Sequence, residues 1–340
     1  MRLMATGLLA FAILPACGEM PFASDDPGAD SSESELRYRR RTRTGGASGT
    51  VSPGSGGAPV ATGGAPVATG GAPAATGGAP GSGGAPGSGG AAVVPAGQVI
   101  FSGDFETGDV SQWSYVERCQ PDRIFIYSTA NAPAGAPAPR QGKFAARFHV
   151  MDTDVAPCTS TENPRAELET PESLFKPGDD RWEAWSLYVP TSHPQPTGET
   201  WFAVQEDYGA PWDGSPSIGW FLDFGNGAAR VRMDRGAQYG HDQPLLSNLP
   251  LGRWVDFLVH KKFANTSSGG GFVEAWVDKV PMTFSACGGC TRLMTQTMHS
   301  SQAQVGFYLT SYRARGTFQY FDTYYDAVRI GTTRAVVELP

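Results

Sequence analysis

The 340-residue chain has few of the residues that build metal or redox centres, with five cysteines and five histidines, and charged residues make up only 17 % of it. No histidine pair and no second Cys-x-x-Cys accompanies Cys287-Gly288-Gly289-Cys290, and no βαβ pattern surrounds that motif, which argues against zinc and against a redox dithiol. Long apolar runs are also missing. The stretch from Leu3 to Leu14 is too brief for a permanent membrane span, and no segment longer than ten residues keeps a helical apolar stripe clear of Pro or Gly. Residues 1–97 are electroneutral, so the net charge of −7 falls on the remainder. An acidic globular part makes a poor generic polyanion binder, and nucleic acid is not an expected partner. The basic run from Arg37 to Arg43 reads as a solvated stalk beside the acidic stretch 25–35.

What is present divides the chain unequally. Arg2, the apolar run and Leu14-Pro15-Ala16-Cys17 form a signal-like leader over 1–17, whose end is similar to the lipobox of bacterial lipoproteins; Cys17 is then the lipidated anchor. Residues 18–97 hold about half of the 44 glycines and a decaying Gly-Gly-Ala-Pro repeat. Such a segment buries too little apolar surface to offset its conformational entropy, and it is expected to be a flexible tether. The expected location is outside the cytoplasm, as an outer-membrane lipoprotein or at the cell surface, with membrane contact through the lipid alone. In an oxidising compartment the remaining four cysteines allow three pairings. Cys119 with Cys158 and Cys287 with Cys290 is favoured, because two glycines let the second pair close a tight turn.

From residue 98 to 337 the apolar pattern has period two. It is seen in Phe144–Val150, Trp182–Val189, Trp254–His260 and Phe272–Asp278, each rich in aromatic and β-branched residues and bounded by turn formers. The expected fold is all-β, a jelly roll or concanavalin-like two-sheet sandwich, built as one monomeric domain. Segments near Gly103-Asp104-Phe105-Glu106 and Tyr320–Gly331 read as terminal strands that pair. Glu106, Asp109 and Asp326 would converge there and offer oxygen ligands to a structural calcium, though ordinary turn chemistry explains them as well. No cofactor is required.

Asn163-Pro164-Arg165-Ala166-Glu167-Leu168-Glu169 is the most informative stretch. On a strand, Arg165, Glu167 and Glu169 share one face and Ala166 and Leu168 the other. Charges regimented in this way suit the lining of a sheet that grips an extended polar ligand such as a polysaccharide; a solvated strand carrying an Arg–Glu pair has the same pattern. Closely spaced Glu167, Glu169 and Glu172 also admit glycoside hydrolysis, although Pro171 interrupts the series. Trp212, in a Pro/Gly-rich stretch, is the aromatic best placed to stack on a sugar, whereas Trp220 reads as core. His149 and His260 lie within strands and read as structural; His193 and His299 fall in loops.

Phe105-Glu106-Thr107-Gly108-Asp109, Arg165-Ala166-Glu167-Leu168, Gln205, Trp254–His260, Gly271–Asp278 and Val305-Gly306-Phe307-Tyr308 occur in an order that resembles the heparin lyase I-like polysaccharide lyases, jelly rolls related to alginate and glucuronan lyases. The resemblance implies β-elimination on an acidic polysaccharide. That reaction needs a neutralised uronate carboxylate, a base for the C5 proton and an acid for the departing oxygen. It also implies Tyr308 as base or acid, Gln205 and Arg165 as carboxylate-binding groups, and Glu167, Trp212 and Arg313 along the substrate. Where such lyases carry a histidine and a lysine, this chain has Asp207 and Gln304. Either His241 replaces the histidine or the domain binds glycans without cleaving them.

Overall fold

The computed structural model describes residues 97–154, 163–194, 200–210, 216–225, 228–236 and 242–340. The leader with Cys17, nearly all of the tether, Cys158, Trp212 and His241 lie outside the described residues.

The period-two segments form strands. In chain order they are β1 (Val99–Gly103), β2 (Tyr115–Arg118), β3 (Ile124–Tyr127), β4 (Ala145–Met151), β5 (Arg165–Glu169), β6 (Asp180–Tyr188), β7 (Thr200–Tyr208) and β8 (Ile218–Gly225). They continue with β9 (Ala228–Asp234), β10 (Gln243–Leu246), β11 (Trp254–Lys262), β12 (Phe272–Val277), β13 (Val280–Pro281), β14 (Arg292–Met294), β15 (Gly306–Arg313) and β16 (Tyr320–Gly331). Among the described residues no helix is long and apolar enough to cross a membrane.

The strands make two antiparallel sheets. A nine-stranded sheet runs β13-β12-β11-β6-β16-β4-β3, with β1 on β16 and β14 on β12; a seven-stranded sheet runs β10-β9-β8-β7-β15-β5-β2. Inward residues of both, among them Phe148, Trp185, Leu187, Phe257 and Tyr325 from the first and Leu168, Val204, Trp220, Phe307 and Leu309 from the second, form one continuous core. Trp185 lies parallel to Phe257 with ring centroids 5.2 Å apart, and Trp220 meets it edge-on at 5.8 Å. The expected all-β sandwich is therefore the observed one, and Trp220 sits in its core.

β1 pairs with β16 from Val99↔Gly331 to Gly103↔Val328, which ties the two ends of the domain together. Residues 264–271 form the hairpin that joins β11 to β12 in unbroken register. Gly270 closes it at φ 68°, a conformation that glycine adopts without the Cβ clash other residues meet. The disulfide Cys287–Cys290 is present, with Cα atoms 5.6 Å apart. Cys119 is also disulfide-bonded.

Candidate active site

β5 has a residue pattern that ordinary sheets avoid: all five of its side chains are buried, three of them charged. Ala166 and Leu168 enter the core, so Arg165, Glu167 and Glu169 project from the face of the seven-stranded sheet turned away from the other sheet. On neighbouring β15, Phe307 and Leu309 point into the core, which sends Tyr308, Thr310 and Tyr312 to that same outer face. The register sets Tyr308 opposite Glu169, Thr310 opposite Glu167 and Tyr312 opposite Arg165.

Contacts follow from that register. Thr310 Oγ1 donates to Glu167 Oε1 at 3.0 Å. The Arg165 guanidinium stacks over the Tyr312 ring, 4.6 Å from its centroid, and its Nε lies 3.9 Å from Glu117 Oε1. β2 brings Tyr115 opposite Glu169 and Glu117 opposite Glu167. As a result Glu117, Glu167 and Glu169 have carboxylate oxygens within 4.8 Å of one another, a hard-oxygen set of the kind divalent cations accept. Sequence spacing alone gave two members of this set. The third comes from β2, whose pairing with β5 no local pattern announces.

β7 departs from simple alternation. Ala203 and Trp201 lie on the outer face with Phe221 and Tyr312, and continued alternation would put Gln205 and Asp207 there too. A bulge intervenes: the register slips between Ala203 and Gln205 on the β8 side and between Leu309 and Tyr312 on the β15 side. One extra residue inverts the faces of everything beyond it. Gln205 therefore sits opposite the core residues Leu309 and Trp220, and Asp207 opposite Phe307 and Ile218. The expectation that Gln205 joins Tyr308 is corrected accordingly. Its Nε2 donates to Asp207 Oδ1 at 3.1 Å inside the sandwich.

The interior ends of that network come from the opposite sheet. Lys261 Nζ, on β11, bonds Asp207 and lies 2.7 Å from Glu183 on β6, and all three side chains are fully buried. One ammonium faces two carboxylates where water cannot help. Burial pushes Glu183 up to about 8; Lys261 opposes that shift and the Asp207 charge adds to it. Burial likewise raises Asp207 against Lys261 and Gln205. Burial works against the lysine's charge, but Asp207 and Glu183 override it and its pKa goes up. Burial therefore favours the protonated acids, while the two carboxyls keep the lysine charged.

With Gln205 and Asp207 inside, Glu206 and Tyr208 take the outward places. Glu206 is directly opposite Tyr308 on one side and Gly219 on the other. The Tyr208 and Tyr308 rings stack at 5.4 Å and 29°. A lateral row Tyr115, Glu169, Tyr308, Glu206 thus crosses four adjacent strands, with Tyr308 flanked by carboxylates. Glu169, Tyr308 and Glu206 are buried, none more than 3 % exposed.

The other sequence-nominated residues fall elsewhere. Arg313 points to the core side, opposite Phe202; its Nη2 donates to the Phe318 carbonyl at 2.8 Å, and burial lowers its pKa to about 10. Glu106, Asp109 and Asp326 do not form one ligand set. Glu106 accepts from the backbone N–H groups of Lys143 and Phe144, and Asp109 from Ser111. Asp326 accepts from the N–H groups of Arg140, Gln141 and Ala327, the last at φ 58° where β16 slips register against β6. These carboxylates satisfy turns and a bulge, which accounts for their positions near the paired termini.

Comparisons with known proteins agree with this architecture. A family model described as Polysaccharide lyase matches residues 105–329. Among solved structures, an endo-β-1,4-glucuronan lyase from the fungus Trichoderma reesei is 16 % identical, with TM-score 0.51, covering 71 % of this chain and 98 % of that one. The catalytic domain of a glycoside hydrolase family 131 protein from Coprinopsis cinerea is 14 % identical at TM-score 0.44, covering 72 % and 98 %. Alginate lyase PA1167 from Pseudomonas aeruginosa is 15 % identical at TM-score 0.43, covering 66 % and 100 %. No curated protein matches the sequence.

Proposed function

The chain belongs to the polysaccharide lyase family, and from that premise we propose that it cleaves a uronate-containing glycan by β-elimination at the outer face of the seven-stranded sheet, with Tyr308 transferring a proton to or from the reacting sugar. The observation that carries this reading is the β5–β15 register, which sets Tyr308 and Arg165 on one face of adjacent strands. Tyr308 lies at the level of Glu169, four residues along β5 from Arg165 and so about 14 Å away. At that offset Arg165 grips a carboxylate farther along the polymer, and its planar fork suits the task.

Of the polymers to try, glucuronan comes first, since one solved structure of similar fold is an endo-β-1,4-glucuronan lyase. We also propose, from the order of its motifs, that it is akin to the heparin lyase I-like members. We also infer that Cys17 carries a lipid and that the 18–97 tether holds a monomeric domain away from the membrane, outside the cytoplasm.

The competing reading is a carbohydrate-binding lipoprotein without catalysis. Its support is Asp207, which stands where related lyases carry a histidine and is tied to Lys261 in the interior. Incubating the purified protein with glucuronan, alginate, heparin and pectate while following the ultraviolet absorbance of the C4=C5 uronate separates the readings. The expected result is a rising signal with at least one polymer. Binding with no chromophore supports the lectin-like reading, and new reducing ends without it indicate hydrolysis.

A further inference from the structure

The row around Tyr308 is buried, yet the same outer face opens to solvent toward the other end of the sheet. Eight of the nine residues of β7 are buried, and Trp201 is the exception. Trp201 stands opposite Asp223 on β8, and Asp223 stands opposite Arg230 on β9. Their strand neighbours Phe202, Leu222, Phe224, Ala229 and Val231 enter the core, so all three side chains project outward. Asp223 keeps 28 % of its side chain exposed, and Arg230 is the one exposed residue of β9. We propose that Trp201, Asp223 and Arg230 form a remote subsite for one uronate residue of the polymer, an assignment that rests on the reading that this face takes an acidic glycan.

Each of the three supplies one part of uronate recognition. The indole is an apolar plate for the C–H face of a sugar ring. Two rings hold it upright: Tyr312 meets it at 5.1 Å and 70°, and Phe221 at 6.1 Å and 76°. Those supports are themselves packed under guanidinium groups, Arg165 over Tyr312 at 4.6 Å and Arg232 over Phe221 at 4.4 Å. Asp223 Oδ1 accepts from Arg232 Nε at 2.9 Å, which fixes the carboxylate beside the indole, where it can also accept from a sugar hydroxyl. Arg230 offers a planar fork to the sugar carboxylate. The acids of this corner, Asp223, Asp234 and Asp242, all lie against Arg232, so a uronate arriving at Arg230 meets carboxylates that already share a counter-charge.

Trp201 lies five residues along β7 from Glu206, the residue opposite Tyr308, and so about 15 Å from the reactive row. That span is several sugar rings. Only a long chain occupies both places at once, which gives the subsite a signature that a purely structural tryptophan lacks.

Wild type, Trp201→Ala, Trp201→Phe and Arg230→Gln are compared on glucuronan, alginate, heparin and pectate. Retardation in polymer-containing gels reads binding, and the unsaturated-product assay reads turnover of intact polymer and of its trisaccharide, with melting curves as folding controls. The expected outcome is weaker retardation and a KM raised about fivefold or more in Trp201→Ala and Arg230→Gln, with kcat within about twofold and the rise confined to intact polymer. Trp201→Phe recovers most of the loss, and added salt narrows the gap between wild type and Arg230→Gln. Wild-type retardation and KM in a folded Trp201→Ala overturn the proposal. A KM raised equally on the trisaccharide also overturns it, because that marks a distorted sheet. Should Trp201→Ala not fold, the exposed Arg230 decides by the same measurements. Retardation of the wild type without any chromophore removes the lyase reading alone, and the retardation of the variants then decides the subsite. If wild type neither binds nor cleaves any of the polymers, the subsite falls with the reading of the face.

Discussion

Arg165 is fully buried yet sits on the face of β5 opposite the core, with Tyr312 beneath its guanidinium and Glu117 beside its Nε. Under the proposed function such a residue has two roles that substitution separates. As a ligand for a polymer carboxylate it would contribute a charge-assisted pair, whose loss is about 2 kcal/mol, or some 30-fold in affinity. As a partner of Tyr312 and Glu117 it contributes to folding. Arg165→Ala is expected to raise KM about tenfold or more with kcat within a few-fold, and Arg165→Lys to recover charge but not the fork. Steady-state kinetics on proteins with matched melting curves checks this; unchanged KM in a folded Arg165→Ala variant removes Arg165 from substrate binding. The alternation of Arg165, Glu167 and Glu169 was legible in the sequence because strand parity is local. Their neighbour Glu117 was not, because it arrives through a strand pairing set by the whole sheet.

At the scale of elements, the β7 bulge decides which side chains face outward from the seven-stranded sheet. Alternation read from Trp201 puts Gln205 outward, and nothing within Thr200–Tyr208 marks the inserted residue. The compensating feature lies far away in sequence, in the inward lysine of β11, and a charged residue at a core position is the one trace a reader of sequence could have followed. The strands around the site, the paired termini and the 264–271 hairpin were legible because burial on one face imposes a period of two. Lys261→Met leaves Asp207 and Glu183 buried without their cation. The expected loss is about 3–5 kcal/mol of stability, recovered in part as acid protonates the carboxylates, and measurable by urea unfolding at two pH values. If the variant unfolds like wild type, the network does not hold the bulge in phase.

For the molecule as a whole, buried carboxylates set the pH dependence of stability. Glu183, pushed up to about 8, and Asp326, pushed up to about 7, both by burial, bind protons in the folded state that the unfolded chain releases near pH 4. Their contribution is full below that pH and is lost as pH rises through 7 to 8, on the order of a few kcal/mol. Asp322 and Glu274 act oppositely: burial is outweighed by hydrogen bonds from His149 and Arg147 to the former and from Arg292 and His260 to the latter, so their stabilisation disappears in stronger acid. Stability is therefore expected to peak near pH 5 and to fall toward pH 8.5, with Glu183→Gln flattening the alkaline decline; a flat wild-type profile from pH 5 to 8.5 contradicts this. The account's central claim, that this sandwich uses a tyrosine on its outer sheet face to eliminate across a uronate, is tested most directly by turnover of Tyr308→Phe on whichever polymer the wild type degrades. A fall of at least about 100-fold in kcat with glycan binding retained is predicted, whereas turnover at the wild-type rate would contradict it.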